Sequence, residues 1–346
     1  MKTALLEYAL PEQSIAVRPL AERDAARLLV VGEQGFEHRA VREFAELVPE
    51  GALVVLNDTR VRRARVFATK RGSGGKVELL LLDRLGSDGD RERWQALGRA
   101  NKALRVGTEL EAPGLEARVV ATGELLEVSL AAEGGVEHWL EGSGHVPIPP
   151  YLGRLDEPSD GERYQTVFAD KLGSAAAPTA GLHLTEAMLA RLAARGVTRS
   201  TLTLAIGLGT FRPVEADDLD HHPMHSETLE VAPALVEAVA AARARGAPVV
   251  AVGTTVVRAL ESAADPERLG HVRPTVGPTR LLIQPGYAFR VVDALLTNFH
   301  QPRSTLLALV SAFAGHARVL EAYALAVREG YRFLSYGDAM WLPRRA

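Results

Sequence analysis

The stretch VVAVGTTVVRALESA (249–263) joins an apolar run to a helical pattern through a single glycine. The residues before Gly253 predict a buried strand, and the apolar spacing after it predicts a helix that begins near Thr254. Strands that lead directly into helices are the repeating units of α/β proteins. We therefore expect this stretch to lie in a sheet that has helices packed against it.

The same alternation of strand-like and helical runs recurs on both sides of this stretch. Further examples are LVVLN (53–57), TLTLAIG (201–207), APALVEAVAAARARG (232–246) and STLLALVSAFAG (304–315). In the helical runs, Gly246 and Gly315 occupy positions where C-terminal caps are expected. The pattern predicts an α/β domain.

Residues 61–147 have a different pattern, in which short strand-like runs are bounded by Gly, Asp or Asn and no convincing amphipathic helix is found. The runs are KVELLLLDRL, RWQALGRA, GTELEA, LEARVVAT and ELLEVSL. Short, closely spaced strands of this kind are typical of a small antiparallel barrel or sandwich. We expect an α/β main domain, residues 1–60 and 148–346, interrupted by an inserted small antiparallel β-barrel-like domain at 61–147.

Composition excludes several classes of protein. Apolar residues make up 47% and charged residues 24% of the 346 residues, as in soluble globular proteins rather than disordered ones. The sequence contains no cysteine, so disulfides, thiolate catalysis and cysteine-bound metals are excluded. No apolar run approaches the ~20 residues that span a bilayer, and the start MKTALLEYALPEQS lacks the apolar core of a signal peptide. We expect a cytoplasmic protein that does not associate with membranes.

Positive charge is concentrated in one short segment, although the formal net charge of the chain is −3. Residues 60–71 contain no acid and carry the cations Arg60, Arg62, Arg63, Arg65, Lys70 and Arg71. Such a cluster is typical either of a solvated strand face or of a surface that binds nucleic-acid phosphates. The cluster alone does not decide between the two.

Polar and small residues follow the predicted strands, at the edge where α/β sheets bind ligands. They include Asn57 and Asp58 after LVVLN, the glycine turn AIGLGTFRPV (205–214), Thr254 and Thr255 at a helix N-terminus, and Asn298, Phe299 and His300 in LLTNFHQPRSTLLALV (295–310). A helix N-terminus attracts anions, and Arg258 lies one turn into the helix. Ordinary turns and caps account equally well for each motif taken singly.

Two further segments carry histidines. In GSAAAPTAGLHLTEAMLARL (173–192), small residues that permit close approach of a ligand precede His183. In DDLDHHPMHSE (217–227), Pro223 interrupts the helix that would place His221 and His225 together on a metal, so we expect a polar loop and no metal site.

Ten strings of this sequence together indicate a family. They are LNDTRV, GGKVELLLL, GHVPIPPYLGR, RYQTVFA, AAPTAGLH, GLGTFRPV, MHSE, AVGTTVVRALESA, PGYAFRVVDALLTNFHQPRSTLLALVSAFAG and YRFLSYGDAM. In this order, and nearly from end to end, the chain resembles the S-adenosylmethionine:tRNA ribosyltransferase-isomerase family of queuosine biosynthesis.

The resemblance implies a transferase that moves the ribosyl group of S-adenosylmethionine onto 7-aminomethyl-7-deazaguanine at the tRNA wobble position. The product is epoxyqueuosine, and adenine and methionine leave. The partners implied are S-adenosylmethionine and this tRNA, with no redox cofactor, metal or obligate protein partner. A non-catalytic RNA-binding protein is the alternative, which explains the arginine run but not the polar strand ends.

The resemblance and the strand-end positions together give the expected site residues. For substrate binding they are Asn57, Arg60, Tyr164, Thr179, Gly181, Gly209, Phe211, Glu227, Thr254, Thr255, Arg258, Asn298, Phe299 and His300. For tRNA phosphates they are Arg62, Arg63, Arg65, Lys70 and Arg71. Removing a proton beside a sulfonium needs a base that titrates near neutrality, which favours a histidine over Asp58. We expect this base to be His183, which follows a small-residue loop that can close on a ligand, whereas the alternative His225 lies in a more polar string.

Overall fold

The computed structural model describes residues 1–207 and 214–344. Its strands are β1 (Arg27–Val31), β2 (Phe36–Ala40), β3 (Leu53–Asn57), β4 (Thr59–Val61), β5 (Arg65–Lys70), β6 (Lys76–Asp88), β7 (Arg91–Ala100), β8 (Glu109–Ala112), β9 (Leu115–Ala121), β10 (Leu126–Ala132), β11 (Lys171–Ser174), β12 (Thr198–Leu204), β13 (Glu227–Val231), β14 (Val249–Val252), β15 (Thr275–Thr279), β16 (Ala294–Asn298) and β17 (Ala339–Pro343). Its α-helices are α1 (Phe44–Leu47), α2 (Val136–Ser143), α3 (Asp160–Arg163), α4 (Glu186–Ala194), α5 (Pro233–Ala244), α6 (Thr254–Ser262), α7 (Thr305–Ala314) and α8 (His316–Arg328). Short 3-10 helices include Arg23–Ala25, Pro150–Leu152 and Thr179–His183.

A large mixed sheet forms the α/β part. Within the described ranges it has nine strands in the order β15-β13-β12-β3-β14-β16-β17-β1-β2. The four strands at its centre, β12, β3, β14 and β16, are parallel. Antiparallel strands β13 and β15 extend one side, and on the other side β17 is antiparallel to β16 and parallel to β1. The α/β architecture expected from the strand and helix alternation is confirmed.

Strand β3 shows how helices cover both faces of this sheet. All five of its residues are buried. Because side chains alternate along a strand, Leu53 and Val55 enter one hydrophobic core and Val54 and Leu56 enter the other. Helices α5 to α8 pack on the first face, and α1 and α4 pack on the second. The carboxyl ends of the central strands therefore remain as the open edge.

A closed antiparallel barrel interrupts this domain. Its strand order is β10-β7-β6-β5-β8-β9, and it has a hydrophobic core of its own that includes Leu79 and Trp94. The chain enters and leaves through a narrow neck, where Arg65 and His145 exchange two main-chain hydrogen bonds of 3.1 and 2.9 Å. The inserted β-barrel is confirmed, while its limits at residues 61 and 147 stay a prediction.

Helix α2 was not expected in the insert. It covers the barrel with Val136 and Leu140, which are buried one turn apart. Only these two of its eight residues are buried, and the segment contains the helix-weakening Gly142. A helix this short lacks the repeated apolar spacing that would have identified it.

Helices α7 and α8 follow one another with a sharp bend. Ser304 caps α7, since its Oγ accepts a hydrogen bond of 3.1 Å from the Leu307 N–H, and Gly315 ends α7 with φ of 87°. Among the described residues, no single helix is long and apolar enough to cross a bilayer, although α7 and α8 reach that length and composition as a pair bent by 113°. The cap positions expected at Gly246, with φ of 67°, and at Gly315 are confirmed.

Candidate active site

A pocket opens at the carboxyl ends of the parallel strands β14 and β16. Its empty volume, including open solvent, is about 680 Å³. We call it the strand-end pocket. The expected substrate-binding residues that line it are Thr179, Thr254, Thr255, Asn298, Phe299 and His300. Residues from three separate sequence motifs therefore lie together at the carboxyl ends of the strands, as expected for an α/β sheet.

The N-terminus of α6 forms one wall of the strand-end pocket. Gly253 precedes it with φ of 97°, a conformation that favours glycine, and this turns the chain directly from β14 into the helix. Thr254 and Thr255 in the first turn line the pocket. The free N–H groups and the positive end of the helix dipole suit an anionic group of a ligand, such as a carboxylate.

His300 supplies a polar but uncharged ring. Its Nε2 lies 2.9 Å from Thr297 Oγ1, and its main-chain N–H donates to the Tyr323 hydroxyl at 2.9 Å. Burial lowers the pKa of His300 to about 3. The imidazole is therefore neutral at pH 7, so it contributes hydrogen bonding rather than charge to the pocket.

Asn298 and His183 form a hydrogen bond of 3.2 Å between Nδ2 and Nε2. His183 lies outside the strand-end pocket and lines a smaller cavity together with Arg23 and Tyr336. Burial lowers the pKa of His183 to about 4, opposed by a hydrogen bond with the main chain of Arg23. The His183 ring is buried, hydrogen-bonded to Asn298 and only weakly basic. It is therefore poorly suited to act as the general base, the role that the sequence favoured for it.

A second, larger cavity lies between the barrel and the main sheet, with an empty volume of about 1200 Å³ including open solvent. We call it the interdomain cleft. Arg62 and Gln95 line it from the barrel side, and His225 and Glu227 line it from the sheet side. Ile206 lines both this cleft and the strand-end pocket. The two cavities are therefore neighbours, and the side chain of His225 is exposed in the cleft.

Glu227 and Arg258 form a buried ion pair, with 5% of each residue exposed. Arg258 also donates from Nε to the main-chain oxygen of Leu281 at 3.1 Å, and Glu227 accepts from the Gly207 N–H at 3.3 Å. Arg258 was expected among the substrate-binding residues, but the structure gives its charge a protein partner and places it outside the lining of the strand-end pocket. The sequence did not predict strand β13, which begins at Glu227, and so it did not indicate that this carboxylate would lie beside Arg258.

Asn57 and Asp58 form hydrogen bonds with the end of β12, at its junction with β3. Asn57 donates from Nδ2 to the oxygen of Leu204 at 3.0 Å and accepts from the Leu204 N–H at 3.0 Å. Asp58 accepts from Thr203 Oγ1 at 2.7 Å. Neither lines the strand-end pocket. Asn57 therefore holds two strand ends together behind the pocket.

Three other expected residues also lie outside the pocket lining. Tyr164 is fully buried against Tyr336, with ring centroids 5.9 Å apart. At Gly181 a Cβ atom would come within 2.8 Å of the Phe168 ring, so this glycine allows close packing. Arg60 is exposed. Two more expected residues, Gly209 and Phe211, lie outside the described residues.

Most cations of the arginine run have protein partners. The ion pairs are Arg62–Glu137 at 3.0 Å, Arg65–Glu78 at 3.1 Å and Arg71–Glu111 at 3.2 Å. Arg63 donates to the main-chain oxygen of Glu141 at 3.2 Å, and Lys70 donates to that of Lys102 at 2.9 Å. Any phosphate bound here by Arg62, Arg65 or Arg71 has to compete with a carboxylate that is distant in sequence.

Five polar residues that line the pocket were not among the expected site residues, namely Tyr151, Thr297, Gln301, Ser304 and Ser335. The hydroxyls of Tyr151 and Ser335 are hydrogen-bonded to each other. Thr297 precedes Asn298 on β16. It follows three apolar residues of that strand, so the sequence pattern indicated a strand residue and not a site residue. The string YLGR, which begins at Tyr151, and the string SYGD, which begins at Ser335, were among the family-like motifs and were the available signals. Phe299 was expected, yet its ring also packs on Phe333 at 4.9 Å.

Metal ligation finds no support in the described residues. Among them, no group of three or more His, Asp or Glu side chains could hold an ion. His221 and His225, which suggested a metal in the sequence, lie on either side of Pro223.

Comparisons with known proteins agree with the fold and show the family of the chain. A family model described as "Queuosine biosynthesis protein" matches residues 3–342. A protein of Sorangium cellulosum named "S-adenosylmethionine:tRNA ribosyltransferase-isomerase" is 55% identical, covering 98% of each chain, and a protein of Anaeromyxobacter dehalogenans with the same name is 53% identical over 100% of each. The crystal structure of an S-adenosylmethionine tRNA ribosyltransferase from Thermotoga maritima is 34% identical, with a TM-score of 0.54 over 97% of this chain and 99% of that one. The chain therefore belongs to the queuosine biosynthesis protein family.

Proposed function

We propose that this protein is an S-adenosylmethionine:tRNA ribosyltransferase-isomerase. It transfers and isomerises the ribosyl group of S-adenosylmethionine onto 7-aminomethyl-7-deazaguanine at the tRNA wobble position. Epoxyqueuosine forms, and adenine and methionine are released. The observation that carries the proposal is the full-length identity of more than 50% with relatives of that name. The pocket at the strand ends supports it, because it lies at the edge where α/β sheets bind ligands.

The chemistry assigns different tasks to the two cavities. The sulfonium makes methionine a leaving group and acidifies the adjacent 5′ carbon, so the enzyme has to supply a base and a pocket that excludes water. In the proposal, S-adenosylmethionine occupies the strand-end pocket, with its carboxylate at the N-terminus of α6. The tRNA base enters the interdomain cleft. Ile206 lines both cavities, which supports a meeting of the aminomethyl nitrogen and the ribosyl group at their junction.

The reaction itself is the first test. Purified protein incubated with S-adenosylmethionine and tRNA that carries the aminomethyl base is expected to release adenine and methionine in equal amounts with the modified tRNA. Chromatography of the small molecules and mass spectrometry of the tRNA measure this. Binding of the tRNA without release of adenine would support the non-catalytic alternative, and transfer of a methyl group would contradict the proposal.

Proton transfer is proposed for His225. Of the three candidates, His225 is exposed in the cleft beside the strand-end pocket, whereas His183 is buried behind Asn298 and Asp58 is bonded to Thr203. Imidazole is the side chain that ordinarily titrates near neutrality. This proposal moves the base from His183, which the sequence favoured, to one of its two alternatives.

The His225→Gln variant is expected to lower kcat by about 100-fold, the lower range for loss of a general base, and to change the KM for S-adenosylmethionine only a few fold. Steady-state release of adenine measures both constants. The matched control is His221→Gln, which removes an exposed histidine from the same loop. A wild-type kcat in His225→Gln would return the assignment to Asp58 or His183.

Binding of tRNA phosphates is proposed for the arginine run, of which Arg62 lines the interdomain cleft. Among the described residues, Arg60 and Arg63 form no ion pair with a carboxylate, so they are free to neutralise phosphates. Arg62 lines the cleft and contributes once a phosphate displaces Glu137. Each neutralised phosphate releases counterions and steepens the loss of affinity with salt.

Replacing Arg60 and Arg63 together with glutamine is expected to reduce the slope of log affinity for tRNA against log salt by about one to two units. Filter binding at several salt concentrations measures the slope, and calorimetry checks that S-adenosylmethionine still binds. Arg328→Gln, on the exposed end of α8, controls for net charge. An unchanged slope in the double variant would assign these arginines to the solvated face of the barrel.

A further inference from the structure

The carboxamide of Asn298 is fixed in one orientation. Its Nδ2 lies 3.2 Å from the main-chain oxygen of Leu334 and 3.2 Å from His183 Nε2. A carbonyl oxygen only accepts hydrogen bonds, so the end of the carboxamide that faces Leu334 is the NH₂ group. The oxygen Oδ1 therefore occupies the other branch, on the side away from His183.

This oxygen is buried and has no hydrogen-bond partner among the described residues. Asn298 is 2% exposed and lines the strand-end pocket. A buried acceptor without a donor costs free energy, and native structures keep such a group where a ligand or water satisfies it. With both protons of Nδ2 already engaged, Asn298 offers the pocket an acceptor only.

His183 maintains this arrangement from behind the pocket. To accept from Asn298 Nδ2, its Nε2 has to be unprotonated, which requires the neutral ring with its proton on Nδ1. Burial favours that neutral form, since the pKa of His183 is lowered to about 4. A protonated ring would place an N–H donor opposite the Nδ2 donor of Asn298. The carboxamide would then lose one of the two contacts that fix its orientation.

The described lining of the strand-end pocket contains no Asp or Glu. An ammonium group needs several acceptors or a carboxylate, whereas a neutral N–H group needs one acceptor. The donor that fits Asn298 is therefore an uncharged one, and the amine of a nucleobase is such a donor. We infer that Asn298 Oδ1 accepts a hydrogen bond from the exocyclic amine of the adenine ring of S-adenosylmethionine, and that His183 is the positioning residue that holds it ready. This inference rests on the proposed function.

An analogue of S-adenosylmethionine in which hydrogen replaces the 6-amino group of adenine tests the first half. Wild-type protein is expected to use it with a kcat/KM lower by on the order of 10- to 100-fold, mainly through KM, because the buried oxygen then stays unpaired. In the Asn298→Leu variant the two substrates are expected to differ by less than about 3-fold. Equal use of both substrates by wild-type protein, or full discrimination by Asn298→Leu, would overturn the assignment of Asn298.

Two variants of His183 test the second half. His183→Leu removes the acceptor for Nδ2 and is expected to reduce discrimination to below about 5-fold, whereas His183→Gln keeps an acceptor oxygen and is expected to restore it. A role limited to stabilising the fold would lower the activity of His183→Leu equally for both substrates, and that result would overturn the positioning role. His221→Leu, at an exposed histidine, is the control and is expected to discriminate like wild-type protein.

The same experiment separates this inference from the proposed function. Release of free base from wild-type protein with S-adenosylmethionine and the modified tRNA establishes the reaction, whichever base is present. If adenine is released and the amine makes no difference, the inference fails while the function stands. If no base is released from either substrate, the function fails and the inference fails with it.

Discussion

Acidification from pH 7 to pH 5 is expected to lower the free energy of unfolding by roughly 3–4 kcal/mol through two buried histidines. Burial lowers the pKa of His183 to about 4 and that of His300 to about 3, while an unfolded histidine titrates near its ordinary value of 6.5. Between pH 6.5 and pH 4, therefore, these two histidines bind protons in the unfolded chain but stay neutral in the folded chain. The stability contributed by these groups is present above pH 6.5 and is lost as the pH falls.

Urea denaturation at half-unit steps between pH 7 and pH 5 measures this dependence. His183→Gln and His300→Gln are each expected to remove about half of this dependence, or ~2 kcal/mol between pH 7 and pH 5. Asp338 titrates in the opposite sense because burial raises its pKa, so the difference between each variant and wild-type protein is the quantity to compare. His221→Gln should leave the slope unaltered, and a wild-type slope in both test variants would show that the rings are solvated.

Arg258→Leu is expected to lower the free energy of unfolding by about 3–5 kcal/mol, because it leaves Glu227 as an unpaired charge in the interior. Both residues are 5% exposed, so water does not replace the lost partner. Chemical denaturation at pH 7 measures the change. Arg258→Lys keeps the charge but loses the fork that reaches Glu227 and the Leu281 oxygen together, so an intermediate loss is expected.

The double variant Arg258→Leu with Glu227→Leu distinguishes a lost charge partner from lost packing. It is expected to recover most of the stability, because replacing a buried ion pair by apolar groups is often close to neutral. If the double variant is as unstable as the sum of the two single variants, the pair acts through packing instead. Glu227 also accepts from Gly207, which immediately precedes residues 208–213, so adenine release should be measured on the same proteins.

Local sequence patterns predicted the strands and helices that surround the site, but long-range contacts decided which side chains reach it. The helix start at Thr254 followed from a strand, a glycine and apolar spacing within a few residues. The partner of Arg258 lies on β13, and the preceding histidine-rich loop gave no sign that a strand would begin at Glu227. A charge pair between distant elements has no local signature in one sequence.

His183 illustrates a second limit. Thr179 and His183 belong to the same short helix, yet Thr179 lines the strand-end pocket and His183 lines the cavity behind it. Residue type and motif placed both at the site, and only the packed structure distinguishes the two sides of the turn. Likewise, the arginine run contains no acid in sequence, but the pairing of β5 with β6 brings Glu78 to Arg65, and helix α2 brings Glu137 to Arg62.

The insertion of the barrel also fixes an order of assembly during synthesis. Barrel strands pair with near neighbours in sequence, whereas β3 pairs with β12 and β14, which are made only after the whole barrel. During synthesis, therefore, the apolar strand β3 (LVVLN) has no partner strand while the barrel folds beside it. Strand β1 can pair with β2 as soon as both are made, but its other edge stays open until the end of synthesis, since Leu28 pairs with Ala339. A ribosome that pauses between residues 147 and 198 would hold a folded barrel next to an exposed, aggregation-prone strand.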